Sequence, residues 1–181
     1  MRINLPNSIT IVRIALVPLF IWFLLASDSG NFFERWLTVA AFIALILTDS
    51  LDGQIARRKN LITNLGKLLD PIADKFLLGG ALVALSSLGR IEWWVTILIL
   101  IREFGITAYR LIVANKRVVA ASSSGKVKTV LQSVAIGFYL SPLAGWLTPV
   151  GVIQAVILYA ALIATLASGF QYLNAERKLQ G

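Results

Sequence analysis

Trp36-Leu37-Thr38-Val39-Ala40-Ala41-Phe42-Ile43-Ala44-Leu45-Ile46-Leu47-Thr48-Asp49-Ser50-Leu51-Asp52-Gly53-Gln54-Ile55-Ala56-Arg57 begins with thirteen residues without a charge and then sets two aspartates three positions apart. At 1.5 Å per residue those thirteen make about 20 Å of apolar helix. With the residues that follow, the stretch is long enough to cross a bilayer. The aspartates therefore fall inside a span. There an ionisable group costs about 2.5–3.5 kcal/mol on insertion scales and marks a functional site by default.

Outward from this stretch, long apolar runs recur at 8–27, 69–88, 92–114, 127–147 and 150–173, beside 36–57 itself. They predict an all-α, polytopic integral membrane protein with six transmembrane helices. The 181 residues are 57% hydrophobic and only 14% charged, where a soluble domain carries about 25% charged residues. Mean hydropathy is +0.79. Residues 1–181 read as a single transmembrane domain with no separate soluble part. Residues 1–7, Met1 to Asn7, form a short amphipathic, basic lead-in of the kind that lies on a membrane surface. The first apolar run holds Arg13 and continues to Ala26, which reads as a first span rather than a cleaved signal.

The connections alternate in charge. Arg58, Lys59 and Lys67 lie in one, Lys116, Arg117 and Lys126 in another, with Lys128 just beyond, and Arg177 and Lys178 lie in the tail. The intervening connections are balanced or neutral: Asp28, Glu34 and Arg35, then Arg90 and Glu92, then no charge between Ala144 and Gly151. Basic connections stay in the cytoplasm, so both termini are expected there. The formal charge of +8 is explained by this bias and by anionic headgroups, without nucleic acid as a partner.

Cysteine and histidine are both absent. That excludes disulfides, thiolate nucleophiles, Ser-His-Asp triads and Cys or His metal ligands. Any bound metal is held by oxygen and is a hard cation such as Mg²⁺, Mn²⁺ or Ca²⁺. Any general base is a carboxylate or a lysine.

Two more aspartates, Asp70 and Asp74, open the next span. Asp49 and Asp52 are i, i+3, and Asp70 and Asp74 are i, i+4, so each pair shares one helix face. If the two faces meet, four carboxylates converge with formal charge −4. Two divalent cations would neutralise them, an arrangement suited to phosphoryl chemistry. The plainer alternative is a set of structural ion pairs with Arg57, Arg58, Lys67 or Lys75. Gly53, Ala56 and Gly66 are small and let a ligand or a facing helix approach. Arg57 suits a phosphate.

Asp49-x2-Asp52-Gly53-x2-Ala56-Arg57, a spacer of eight, then Gly66-x3-Asp70-x3-Asp74 resembles the signature of the CDP-alcohol phosphotransferases at all eight fixed positions. Pro6-Asn7 with Thr10 and Arg13, and six spans filling nearly the whole chain, fit as well. The resemblance implies transfer of a phosphatidyl group from CDP-diacylglycerol to an alcohol, with release of CMP. It implies Asp49, Asp52, Asp70 and Asp74 as ligands of divalent cations, Mg²⁺ or Mn²⁺ and two in number. Asp74 is also the implied base for the acceptor hydroxyl. Asp49, Asp52, Gly53, Ala56, Arg57 and Gly66 are the implied CDP site. A homodimer within the membrane is implied too.

Ile101-Arg102-Glu103-Phe104-Gly105-Ile106-Thr107-Ala108-Tyr109-Arg110 and Gly125-Lys126-Val127-Lys128-Thr129 resemble the bacterial branch of the family that uses sn-glycerol 3-phosphate. The implied location is the bacterial inner (cytoplasmic) membrane, with the site open to the cytoplasm. Thr10, Arg13, Lys75, Arg110, Lys126 and Lys128 are the candidates for holding the acceptor phosphate. Snorkelling and topology account equally well for Arg110, Lys126 and Lys128 taken singly. Inositol phosphate, serine or phosphatidylglycerol are alternative acceptors. A small ion transporter is the competing class, and it predicts acids near the midplane rather than biased to one side.

Overall fold

The computed structural model describes residues 5–28, 30–58, 64–113, 123–145 and 148–180, with side chains described at 9–28, 30–48, 72–109, 127–143 and 149–175. Six α-helices fill it: α1 (Leu5–Ala26), α2 (Phe32–Arg58), α3 (Asn64–Ser87), α4 (Trp93–Val113), α5 (Ser123–Leu140) and α6 (Thr148–Gln180), with a short 3-10 turn at Pro142–Gly145. The all-helical expectation therefore holds. Among the described residues two helices, over Ile9–Ala26 and Pro149–Ala175, are long and apolar enough by themselves to cross a membrane.

Helix ends follow local chemistry. Asn31 caps α2: its Oδ1 accepts from the Glu34 backbone N–H at 3.0 Å, the usual N-cap bond, and its Nδ2 donates to the Glu34 carboxylate at 3.3 Å. α3 closes on Gly89, whose φ of 68° lies in the left-handed region. The Arg90 N–H bonds the Leu85 carbonyl at 2.9 Å and the Gly89 N–H bonds that of Ser86 at 3.0 Å, which satisfies two otherwise orphaned carbonyls. α5 ends at Leu140, where the apolar run predicted a span to 147. Pro142 lacks an N–H and clashes with the preceding turn, so the chain leaves the α-helix there and tightens into the 3-10 turn.

α1 packs against α2 and α3, α3 against α4, α4 against α6, α6 against α5, and α5 against α2, which closes a ring; α3 and α5 also meet across its middle. Phe20 and Phe42 stack at 5.8 Å between ring centroids. Leu82, Leu85, Ile99 and Ile136 fill the centre. Arg90 ties the α1–α2 and α3–α4 connections together through Asp28, and reaches α5 by donating to the Tyr139 carbonyl at 3.2 Å. Those connections therefore share one end of the bundle. The end of α2 and the start of α3 lie at the other.

The outside of the bundle is apolar. Leu19, Trp22, Phe33, Ile101, Val156 and Ile163 are all exposed. Meanwhile Arg13, Glu103, Lys128 and Gln132 are buried. In water this arrangement would leave a far larger apolar surface than a monomeric soluble protein carries.

Candidate functional site

Each aspartate position continues an inward stripe. On α2, Thr38, Phe42 and Leu45 are buried, and steps of four and three residues carry that face through positions 49, 52 and 56. On α3, Leu77, Ala81 and Leu85 are buried. The same steps run back through Asp74 and Asp70 to Gly66. Asp52 and Asp70 stand about 9 Å from their helix ends at Arg58 and Asn64, and Asp49 and Asp74 about 14–15 Å. The four positions thus match in pairs by depth, on inward faces, at one end of the bundle. The side chains of Asp49, Asp52, Gly53, Ala56, Arg57, Gly66 and Asp70 lie outside the described residues. Among those that are described, no three acids gather into a metal-binding group.

α1 brings Thr10 and Arg13 to the same region. Both are 2% exposed and head the stripe that continues through Val17, Phe20 and Leu24. They lie about 8 and 12 Å from the start of α1 at Leu5, on the helix that packs against both α2 and α3.

Lys75 and Lys128 do come together, on a partner the motif reading left without a role. Lys75 Nζ donates to Glu103 Oε2 at 3.0 Å, and Lys128 Nζ donates to Glu103 Oε1. Arg102 adds a bond from Nη1 to Oε1 at 2.9 Å. Its Nη2 donates to Ser168 Oγ on α6 at 2.7 Å. Gln132 Nε2 reaches Thr165 Oγ1 at 2.8 Å. The cluster joins α3, α4, α5 and α6, and it begins one residue after Asp74. Glu103 was findable in the sequence. The rule that flagged the aspartates, an acid inside an apolar run, applies equally to a glutamate in the fourth run.

The remaining two cation candidates differ in position. Arg110 lies seven residues after Glu103 on α4, on the same helix face; its side chain is outside the described residues. Lys126, whose side chain is likewise outside them, is turned about 200° from Lys128. That puts position 126 on the stripe of α5 that holds the exposed Val130 and Val134.

Acid positions paired in depth on α2 and α3, small residues one turn away and a buried cluster of cations on Glu103 make up the candidate site of an apolar bundle. Residues 3–167 match the model of the CDP-alcohol phosphatidyltransferase family, and the chain belongs to that family of enzymes. Over 169 residues it is 42% identical to the "Probable phosphatidylglycerophosphate synthase" of Mycobacterium tuberculosis, covering 93% of this chain and 79% of that one. It is 38% identical to the CDP-diacylglycerol–glycerol-3-phosphate 3-phosphatidyltransferase of Bacillus subtilis, covering 94% of each. It is 35% identical to the protein of the same name from Shigella flexneri, covering 98% and 97%. The ion-transporter alternative ends with this membership.

Proposed function

We propose that the chain transfers the phosphatidyl group of CDP-diacylglycerol to sn-glycerol 3-phosphate, yielding phosphatidylglycerophosphate and CMP. The observation that carries the reading is the gathering of three buried or half-buried cations on one carboxylate, one of them, Lys75, directly following Asp74 on α3. A phosphorylated acceptor has use for that surplus of positive charge, and an uncharged hydroxyl compound does not. The names of the relatives from Bacillus and Shigella point to the same acceptor.

Asp74 takes the proton of the acceptor hydroxyl. The freed oxygen attacks the phosphorus of the phosphatidyl group. The bond from that phosphorus to the oxygen bridging to CMP breaks, and CMP leaves with the electron pair. Gly53, Ala56 and Gly66 leave room for the cytidine diphosphate portion, and Arg57 pairs with its phosphates. Thr10 and Arg13 face the same space from α1. The donor set is all oxygen and suits Mg²⁺ or Mn²⁺, so Asp49, Asp52, Asp70 and Asp74 would hold two divalent cations. Bound there, these offset charge on the diphosphate.

The apolar exterior and the alternating connections support six membrane spans with both termini cytoplasmic. The site then opens to the cytoplasm of the bacterial inner membrane. We assign the homodimer on the family resemblance. The test is CMP release by the purified protein: it is expected only with CDP-diacylglycerol, glycerol 3-phosphate and a divalent cation together. Equal release with serine or inositol phosphate in place of glycerol 3-phosphate would overturn the acceptor assignment.

A further inference from the structure

We infer that Glu103 is a positioning residue that sets the geometry of the acceptor-phosphate cations through the junction it forms with Lys75, Arg102 and Lys128. The inference rests on the acceptor assignment above. Glu103 is 8% exposed, at the end of the buried stripe of Val95, Thr96 and Ile99 on α4. Both carboxylate oxygens are used: Oε2 by Lys75 of α3, Oε1 by Arg102 of its own helix and Lys128 of α5. Among the described residues, three cations against one carboxylate leave a formal surplus of +2. A helix-clamping ion pair needs only one cation per acid, and burying extra like charges is costly. The surplus equals the charge of a phosphate monoester dianion.

The surplus is tied to the chemistry at one point: Lys75 directly follows Asp74 on α3, so their Cα atoms are about 3.8 Å apart, while its Nζ is held on Glu103. Each lysine has three donors, one of which goes to Glu103, so each ammonium has the capacity to bridge to a second anion. The second layer is also built. Arg102 is held by Ser168, and Gln132, 3.5 Å from Oε1, is held by Thr165. With the carboxylate fixed, the lysines are aimed before the acceptor arrives. Without it, three like charges separate, and the acceptor must draw them together again as it binds.

The deciding variant is Glu103→Asp, which keeps the charge and the cation partners but withdraws the carboxylate by about 1.5 Å, one carbon–carbon bond. Glu103→Gln, which keeps the shape and removes the charge, is run beside it, with thermal melting of both in detergent. The expected result for Glu103→Asp is a rise of about tenfold or more in KM for glycerol 3-phosphate, with KM for CDP-diacylglycerol within about twofold of wild type. A folded Glu103→Asp with an unchanged or lowered acceptor KM, or with both KM values raised alike, overturns the inference, whatever Glu103→Gln does. A purely structural clamp would lower the melting temperature without that selectivity. If wild type itself does not use glycerol 3-phosphate, it is the acceptor assignment that fails. If wild type does and Glu103→Asp shows no selective rise, the positioning role alone fails.

Discussion

Asp52 and Asp70 stand equally far along their helices from the α2–α3 connection, the first six residues before the end of α2 at Arg58 and the second six residues after the start of α3 at Asn64. Acids that helix phase sets on the core-side faces of two antiparallel helices, equally far from their connection, can share counter-charge, and losing one leaves the others overcompensated. Asp49→Ala, Asp52→Ala or Asp70→Ala is therefore expected to lower cation-dependent turnover by at least about a hundredfold, the scale for removing a charge-stabilising group. Turnover assays on protein that melts like wild type check this. Near-normal rates in any of the three would remove that residue from the metal site.

Asp74→Asn preserves size and one carbonyl oxygen but cannot accept the acceptor proton. CDP-diacylglycerol should still bind while transfer falls by about a hundredfold, within the range for loss of a general base. Equilibrium binding of CDP-diacylglycerol, measured beside single-turnover transfer, separates the two effects. A rate within a few fold of wild type, set against that range, would mean that another group takes the proton.

The helices and the acid faces were legible because both rest on local periodicity. Apolar runs located all six helices, and i, i+3 and i, i+4 spacings set each aspartate pair on one face. The end of α5 was missed because hydrophobicity was weighed above Pro142; the sequence does not by itself separate it from Pro18, which α1 carries in its interior. The role of Glu103 was missed for a different reason. Its partners come from α3 and α5 as well as α4, and no spacing along one helix predicts a junction between three. Lys126 and Lys128 looked equivalent as loop cations. Helix phase separates them only once α5 is seen to start at Ser123 and to bury Gln132, Ala135 and Ile136.

Gly169 makes room for Arg102. A Cβ at position 169 would lie 3.1 Å from Arg102 Nε and 3.2 Å from its Cγ, closer than ordinary contact. Gly169→Leu should push the guanidinium off both Glu103 and Ser168, at about 1–3 kcal/mol of stability for overpacking, and should raise KM for glycerol 3-phosphate. Gly169→Ala should do less, since a few tenths of an ångström of movement accommodates one carbon. Thermal melts and acceptor titrations on both variants test the order. A Gly169→Leu protein as stable as wild type would show that Arg102 has another place to go.

Arg90 offers the opposite control, a polar tie at the far end from the aspartates. It holds Asp28 and the Tyr139 carbonyl, but the Asp28 side chain is 37% exposed, so solvent screens the pair. Arg90→Ala should cost about 1 kcal/mol, the worth of a hydrogen bond or two, and leave both KM values unchanged. A selective kinetic effect would mean that the two ends of the bundle are coupled.

Arg110 and Lys126 make the sharpest test of the acceptor site, because composition treats them alike and helix phase does not. Seven residues bring Arg110 back to the α4 face that carries Glu103. Two residues turn Lys126 away from buried Lys128, onto the stripe of exposed Val130 and Val134. A charged hydrogen bond to phosphate is worth about 1.5–3 kcal/mol, which corresponds to roughly tenfold or more in KM. Arg110→Gln should therefore raise KM for glycerol 3-phosphate by at least about tenfold and spare that for CDP-diacylglycerol, the pattern of a lost acceptor contact. Lys126→Gln should change either value by no more than about twofold, as a topological lysine would. Steady-state kinetics with each substrate varied in turn decides between them. If Lys126→Gln shows the selective rise and Arg110→Gln does not, the lysine wraps around the first turn of α5 into the site, and the acceptor phosphate lies nearer α5 than α4.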